Sequence, residues 1–237
     1  MPVVSIVLPA YDEVESLASV VHEARDVLRS SGIADAEILI VDDGSTDGTA
    51  ALADDLARRY ENVRTVHHST NLGFGGAMKT CFREARGDWI FLAAADGQIP
   101  IAMLPRFLRL KDTADVVIGV RERRADAPVR HFLSWGFHFA ARALLSVPQR
   151  EFSSAFLFSG ELLRGMRLRS GSRAATVLPE VLYRARRRGA RVAEVVIEHR
   201  PRRAGRAKGA GALVIMATFV ELARLAVVLR LERKHKR

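Results

Sequence analysis

Five short apolar runs, rich in β-branched residues and each ending in turn chemistry, punctuate the first 120 residues of this chain. They are Val3–Leu8, Ile38–Val41, Val63–Val66, Trp89–Leu92 and Val116–Ile118. Helical patterns lie between them. In the first, Leu17, Val20, Val21, Ala24, Val27 and Leu28 recur at three- and four-residue spacing and form one apolar face. Strands that alternate with helices imply a mostly parallel sheet with helices on both faces, so an α/β fold is expected. Ligands of such sheets bind beyond the carboxyl ends of the strands. The polar clusters that follow each run are therefore the candidate functional segments.

The rhythm changes after residue 120. Helices are expected over Arg130–Ser146 and Val177–Arg188, and strands over Phe152–Phe158 and Arg191–Ile197. A basic, glycine-containing loop follows at Arg200–Gly211, then a last helix over Leu213–Leu231. No repeat or low-complexity linker divides the chain. The reading is one main domain over residues 1–211, followed by a C-terminal helix and basic tail over residues 212–237. The last apolar run is long enough to cross a bilayer. Glu221 and Arg224 fall in its middle, however, where charges are costly. It reads either as an amphipathic helix lying at a membrane interface with its basic tail or as an ordinary helix packed on the domain.

Charge is unevenly placed. Residues 1–100 hold 8 Lys/Arg against 16 Asp/Glu, whereas residues 101–237 hold 29 against 11. The second half can therefore coat solvated helices with arginine or face an anionic partner, such as a lipid headgroup or a phosphorylated substrate. Nucleic acid is disfavoured, because no aromatic-rich surface accompanies the arginines. The N-terminus shows no signal-peptide pattern. A single cysteine, Cys81, cannot staple the chain, so a reducing, cytoplasmic location is expected. Cys81 itself fits a core position on its helix.

The strand ends carry the chemistry. Pro9-Ala10-Tyr11-Asp12-Glu13 offers a rigid wall for a flat base, with acids suited to a helix start. In Val41-Asp42-Asp43-Gly44-Ser45-Thr46-Asp47, one of the paired acids can accept hydrogen bonds from a base or ribose, while the rest cap the next helix. The glycines of Asn71-Leu72-Gly73-Phe74-Gly75-Gly76 permit close backbone approach, and Lys79 can reach a phosphate. In Ala94-Ala95-Asp96-Gly97-Gln98, Asp96 and Gln98 lie two apart and can face one side of an extended segment. That is half a site for a hard cation, Mg2+ or Mn2+, held against a diphosphate. His67 and His68, and likewise His131 and His138, lack a third nearby ligand of the kind zinc needs.

Taken in order, P-x-Y-x-E, V-D-D-G-S-T-D, N-x-G-x-G-x-A-x-K and A-D-G-Q resemble the inverting family 2 glycosyltransferases with the GT-A fold. The resemblance implies a nucleotide-sugar site that includes Pro9, Tyr11, Glu13, Asp42, Asp43, Lys79, Ala95 and Asp96. The family's metal motif is D-x-D. Here Ala94 replaces its first acid, Asp96 matches the second, and Gln98 matches the D-x-D-x-Q extension of polyprenyl-phosphate transferases. The second half is similar to the dolichyl-phosphate mannose synthases and their bacterial polyprenyl-phosphate relatives. That similarity implies that Arg121, Arg130 and Ser134 hold a lipid phosphate. It also implies that the loop His199-Arg200-Pro201-Arg202 through Lys208 closes over the nucleotide diphosphate. Glu151 stands where the family often has aspartate.

The implied reaction is transfer of mannose or glucose from GDP-mannose or UDP-glucose to a polyprenyl phosphate with inversion. It would take place at the cytoplasmic face of a membrane, with Asp96, Arg121, Arg130 and Ser134 as the residues closest to the chemistry. Two alternatives stand beside it: a family 2 transferase with another acceptor, such as a cell-wall glycan or small molecule, and a weakly catalytic nucleotide-sugar-binding protein that lost turnover with the missing acid.

Overall fold

A computed structural model describes residues 3–121, 128–149, 152, 154–173, 175–198 and 212–234. The side chains at 128–135, 138, 212–215, 233 and 234 lie outside that description. Seven strands form one sheet: β1 (Val4–Ala10), β2 (Ala36–Asp42), β3 (Val63–His67), β4 (Trp89–Leu92), β5 (Val116–Arg121), β6 (Phe156–Ser159) and β7 (Val192–Ile197). Their order is β3-β2-β1-β4-β6-β5-β7. Only β6 runs antiparallel to its neighbours. The carboxyl ends of the other six strands therefore share one edge.

The expected helices connect the strands: α1 (Val14–Ser30), α2 (Thr49–Arg59), α3 (Phe74–Glu84), α4 (Leu104–Leu108), α5 (Pro128–Leu145), α6 (Gly160–Arg164), α7 (Val177–Arg187) and α8 (Ala212–Lys234). Alternation along each strand sorts its side chains into two cores. Ile6, Leu8, Ile38 and Phe91 pack with α1, α2 and α4, whereas Val7, Leu39, Ile90 and Phe158 pack with α3, α5, α7 and α8. Burial on both faces explains why these strands read as continuous apolar runs.

One expectation needs correction. The strand foreseen over Phe152–Phe158 begins only at Phe156, because its partner β4 ends at Leu92, directly opposite Phe156. The last helix, α8, carries apolar side chains on two sides. Leu222, Leu225, Ala226 and Leu229 are buried in the core shared with α3, α5 and α7, so the helix packs on the domain. Met216, Val220, Val227 and Leu231 are nevertheless more than half exposed on its other side. Among the described residues no helix is long and apolar enough to cross a membrane.

One buried acid ties the helical face together. Glu180 on α7 is fully buried and accepts hydrogen bonds from the backbone N–H groups of Arg169 and Ser170 and from Arg184 Nε at 2.7 Å. Glu221 of α8 accepts from Gly171 N at 2.6 Å, and Glu232 pairs with Arg169 and Arg184. The segment so held presents the Ser172 carbonyl to Gly76 N of α3. Glu180→Ala would strand two backbone donors in a dry site. The expected loss of unfolding free energy is on the order of 3 kcal/mol, read from the midpoint of urea denaturation. A change below about 1 kcal/mol would show that the clamp is dispensable.

Candidate active site

The sheet opens where β1 and β4 part. β1 pairs with β4 only from Val4 to Val7, yet it continues beside β2 to Ala10. Strand order reverses at this point, and such switch points hold ligands in α/β sheets. Pro9 lies beyond the last β4 partner, so its missing N–H leaves no hydrogen bond unmade on that side. Pro9 and Tyr11 are both partly exposed at the crevice, as a wall for a base requires.

The loops after β1, β2 and β3 are laced to one another. Asp12, with φ +47°, donates its N–H to Ser45 Oγ and accepts Thr46 N at 2.8 Å. Glu13 N donates to Thr49 Oγ1, and Val14 N to Asp47. The first N–H groups of α1 are thus met by the β2–α2 loop and not by a cap of its own. Asp43 accepts Leu72 N at 3.0 Å, Gly73 N at 2.8 Å and His68 Nδ1 at 2.6 Å. Asp42 accepts Ser45 N and His67 Nδ1. Both acids are nearly fully buried, at 2% and 3% exposure. Both acids, one of which is expected to meet a base or ribose, also hold the loops together. At Gly44, with φ +71°, an added Cβ would lie 2.7 Å from Asn71 N, so only glycine allows the β2 and β3 loops to meet.

The segment after β4 turns where extended chain is expected: residues 95 and 96 lie in a turn, and Gly97 has φ +68°. Ala94, Asp96 and Gln98 are partly exposed and alternate with buried Ala95, Gly97 and Ile99. Asp96 Oδ1 accepts Gln98 N at 3.0 Å, which holds the turn. A carboxylate and an amide on this turn are hard oxygen donors, suited to Mg2+ or Mn2+ once diphosphate oxygens and water complete the shell. Ala94, at the position of the missing acid, precedes the turn. Among the described residues no cluster of three His, Cys, Asp or Glu forms a self-sufficient metal site. Arg121 ends β5 and is partly exposed. Leu92 of β4 and Ile118 of β5 both stand opposite Phe156, so Asp96 and Arg121 leave the same sheet edge from strands that flank β6.

Other expected residues are placed differently. Lys79 donates to the Ser170 carbonyl and braces the segment clamped by Glu180. The glycine cluster also meets protein: an added Cβ at Gly73 would lie 2.8 Å from Arg173 Cα. The close approach read from these glycines is thus between two parts of the chain. The Ala95 side chain is in the core, leaving only its backbone for a ligand. Glu13 is partly exposed and accepts Ser16 Oγ at 3.1 Å. Arg130 and Ser134 fall on α5 one turn apart, with their side chains outside the described residues, as is the whole of Arg202, Lys208 and Glu151. Cys81 is buried in the core, and burial raises its thiol pKa far above the ordinary value.

Sequence reasoning missed the two histidines after β3. His68 bridges Asp43 and Thr80, and His67 bridges Asp42 and Asp54. Their signal was the pairing of two adjacent histidines with two adjacent aspartates on neighbouring parallel strands, which only the register reveals. Partial burial works against a charged His67, but the hydrogen bonds to Asp42 and Asp54 outweigh it and raise its pKa above 6.5. A raised folded-state pKa means that the stabilisation is fully present below about pH 6.5 and is lost as pH rises through the folded value. His67→Gln should therefore lower Tm more at about pH 6 than at about pH 8.5. Equal losses at both values would remove the charge from this account.

Comparisons with known proteins bear on the fold and the family. The chain is 31% identical over 218 residues to the undecaprenyl-phosphate mannosyltransferase of Micrococcus luteus, covering 88% of each protein. It is 29% identical over 233 residues to the dolichyl-phosphate beta-glucosyltransferase ALG5A of Trichomonas vaginalis, covering 92% of this chain and 72% of that one. Among solved structures, the glucosyl-3-phosphoglycerate synthase of Mycobacterium tuberculosis, in complex with Mn2+, UDP and phosphoglyceric acid, superposes with a TM-score of 0.72 at 20% identity. That match covers 95% of this chain and 78% of that one, and it shows a shared fold. Residues 5–167 match glycosyl transferase family 2, and the chain belongs to that family.

Proposed function

We propose that this protein transfers a hexosyl group, mannose or glucose, from GDP-mannose or UDP-glucose to a polyprenyl phosphate, inverting the anomeric centre. One observation carries the reading: a single sheet edge presents a carboxylate and an amide on the turn after β4 and an arginine at the end of β5, so two anions can be held side by side. The similarity to the Micrococcus luteus undecaprenyl-phosphate mannosyltransferase, over most of both chains, supports the same acceptor class.

The acceptor needs no general base. A phosphate monoester has its second pKa near about 6 and is largely dianionic at neutral pH. Its oxygen attacks the anomeric carbon as the bond to the nucleotide diphosphate breaks, and that electron pair leaves with the diphosphate. The task of the protein is to bring two anions together and orient them. Arg121, Arg130 and Ser134 position the acceptor phosphate, and Pro9 and Tyr11 wall the base. Mg2+ or Mn2+ held by Asp96 and Gln98 would supply charge neutralisation to the departing diphosphate. Arg202 and Lys208 add positive charge on the donor side.

Membrane contact belongs to the same proposal. Met216, Val220, Val227 and Leu231 of α8, with Phe139 of α5, are five of the nine large apolar side chains exposed among the described residues. α5 and α8 pack together, with Phe137 and Phe219 edge to face. The chain end adds Lys and Arg suited to anionic headgroups at the cytoplasmic face. This surface would bring the site to a lipid acceptor without a membrane span.

Kinetics test the site. Asp96→Ala should abolish transfer, since no other acid in its motif can replace the charge. Arg130→Ala should raise the KM for polyprenyl phosphate about 10- to 150-fold, the loss of one charge-assisted hydrogen bond. Nucleotide-sugar affinity, followed by calorimetry, should hardly change. The opposite pattern would place Arg130 on the donor side and favour a different acceptor. The lipid surface has its own test: Val220→Glu with Val227→Glu should reduce co-flotation with vesicles containing phosphatidylglycerol while nucleotide binding persists. Unchanged flotation would remove α8 from the membrane contact.

A further inference from the structure

Leu72 and Phe74 are 40% and 44% exposed. They flank Gly73 where the loop after β3 enters α3, at the carboxyl edge of the sheet. The loop is anchored: Leu72 N and Gly73 N donate to buried Asp43, whose own N–H donates to the Ala10 carbonyl at the end of β1. Arg173 lies against this loop. A Cβ on Gly73 would be 2.8 Å from Arg173 Cα and 3.2 Å from its Cγ, and one on Gly76 would be 2.6 Å from Leu72 Cβ and 3.5 Å from Ser172 Cβ. Arg173 is exposed, and among the described residues no acid pairs with it. Gly171, two residues before it, donates to Glu221 of α8. Val220 precedes Glu221 and is 69% exposed, and Met216 lies one turn earlier. Through Gly171–Arg173, the exposed apolar side of α8 thus adjoins Leu72 and Phe74. Single exposed apolar residues are ordinary, whereas a group of them beside an unmatched cation marks a contact surface.

We infer that Leu72, Phe74 and Arg173 form a second contact with an anionic bilayer, placed at the catalytic edge itself. The inference rests on the proposed membrane contact of α8. That helix leads away from the catalytic edge. Glu221 meets Gly171 near that edge, whereas Glu232, about 16 Å further along the axis, meets Arg184 in the last turn of α7. A single helix laid on a membrane leaves the protein free to roll about the helix axis. A contact off that axis fixes which edge meets the lipid. Leu72 and Phe74 enter the boundary between headgroups and acyl chains, and the Arg173 guanidinium pairs with lipid phosphates. The bilayer supplies the anion that the described protein does not. The acceptor phosphate then arrives at the edge that carries Asp96 and Arg121.

The test floats the full chain with phosphatidylcholine vesicles, with and without phosphatidylglycerol. Leu72→Ser with Phe74→Ser should weaken partitioning about tenfold, the scale of two half-inserted apolar side chains. Arg173→Glu should weaken it about fivefold or more, only on vesicles that contain phosphatidylglycerol, and Arg173→Lys should restore most of the loss. The serine pair and Arg173→Glu should both lower kcat/KM for a long polyprenyl phosphate embedded in those vesicles. Turnover of a short-chain, water-soluble polyprenyl phosphate and affinity for GDP or UDP with Mn2+ should not change. Undiminished flotation in these variants, while Val220→Glu with Val227→Glu loses it, overturns the second contact and leaves the α8 contact standing. If no variant alters flotation, those of α8 included, the membrane reading falls and this inference with it. Equal losses on the water-soluble acceptor, or a drop in nucleotide affinity, assign the three residues to the substrate site instead. Self-association of the wild type without lipid, abolished in the variants, gives the surface to a second copy and likewise overturns the assignment.

Discussion

Asp43 is buried at the end of β2, where it accepts two backbone N–H groups from the loop before α3 and one ring N–H from His68. A carboxylate removed from water must be matched by donors, and here every donor comes from a neighbouring strand-end loop. Ser45, Thr46, Asp47 and Thr49 extend the same lacing to the loop after β1. The crevice between β1 and β4 therefore has one wall made of three mutually bonded loops. A ligand site built on such a wall is preorganised, and preorganisation is what positioning catalysis requires.

The other side of the site is held differently. Asp96 and Gln98 depend on the turn after β4, and Arg121 on the length of β5. The antiparallel β6 between these strands spaces them. In the proposed reaction it would set the separation of the two anions. The clamp of Glu180, Glu221 and Glu232 stands behind this arrangement. It links α8, with its apolar exposed side, through the segment at Arg169–Arg173 to α3.

The fold was largely legible in the chain. Each apolar run became a strand within a few residues, and the periodic segments became helices, because a sheet buried on both faces leaves its mark on consecutive residues. The spacing of Asp96 and Gln98 is a local property and could be read directly, but the turn that carries them, with Gly97 at φ +68°, could not. Asp42, Asp43 and Lys79 show where local reading stops, because a buried structural acid or lysine and a ligand-binding one have the same sequence appearance. What separates them is burial and the identity of the partner. Those partners come from 25 residues away for His68 and 91 for Lys79.

The sequence by itself determined the α/β class, the places where strands end, and the family to which the strand-end motifs belong. All of these follow from local periodicity and turn chemistry. Only the tertiary structure decided that β6 inserts antiparallel between β4 and β5, which acids turn inward, and that α8 packs one apolar side while exposing another. The physical reason is that these outcomes depend on register between distant segments. Register sets which donor meets which carboxylate, and no window of neighbouring residues encodes it.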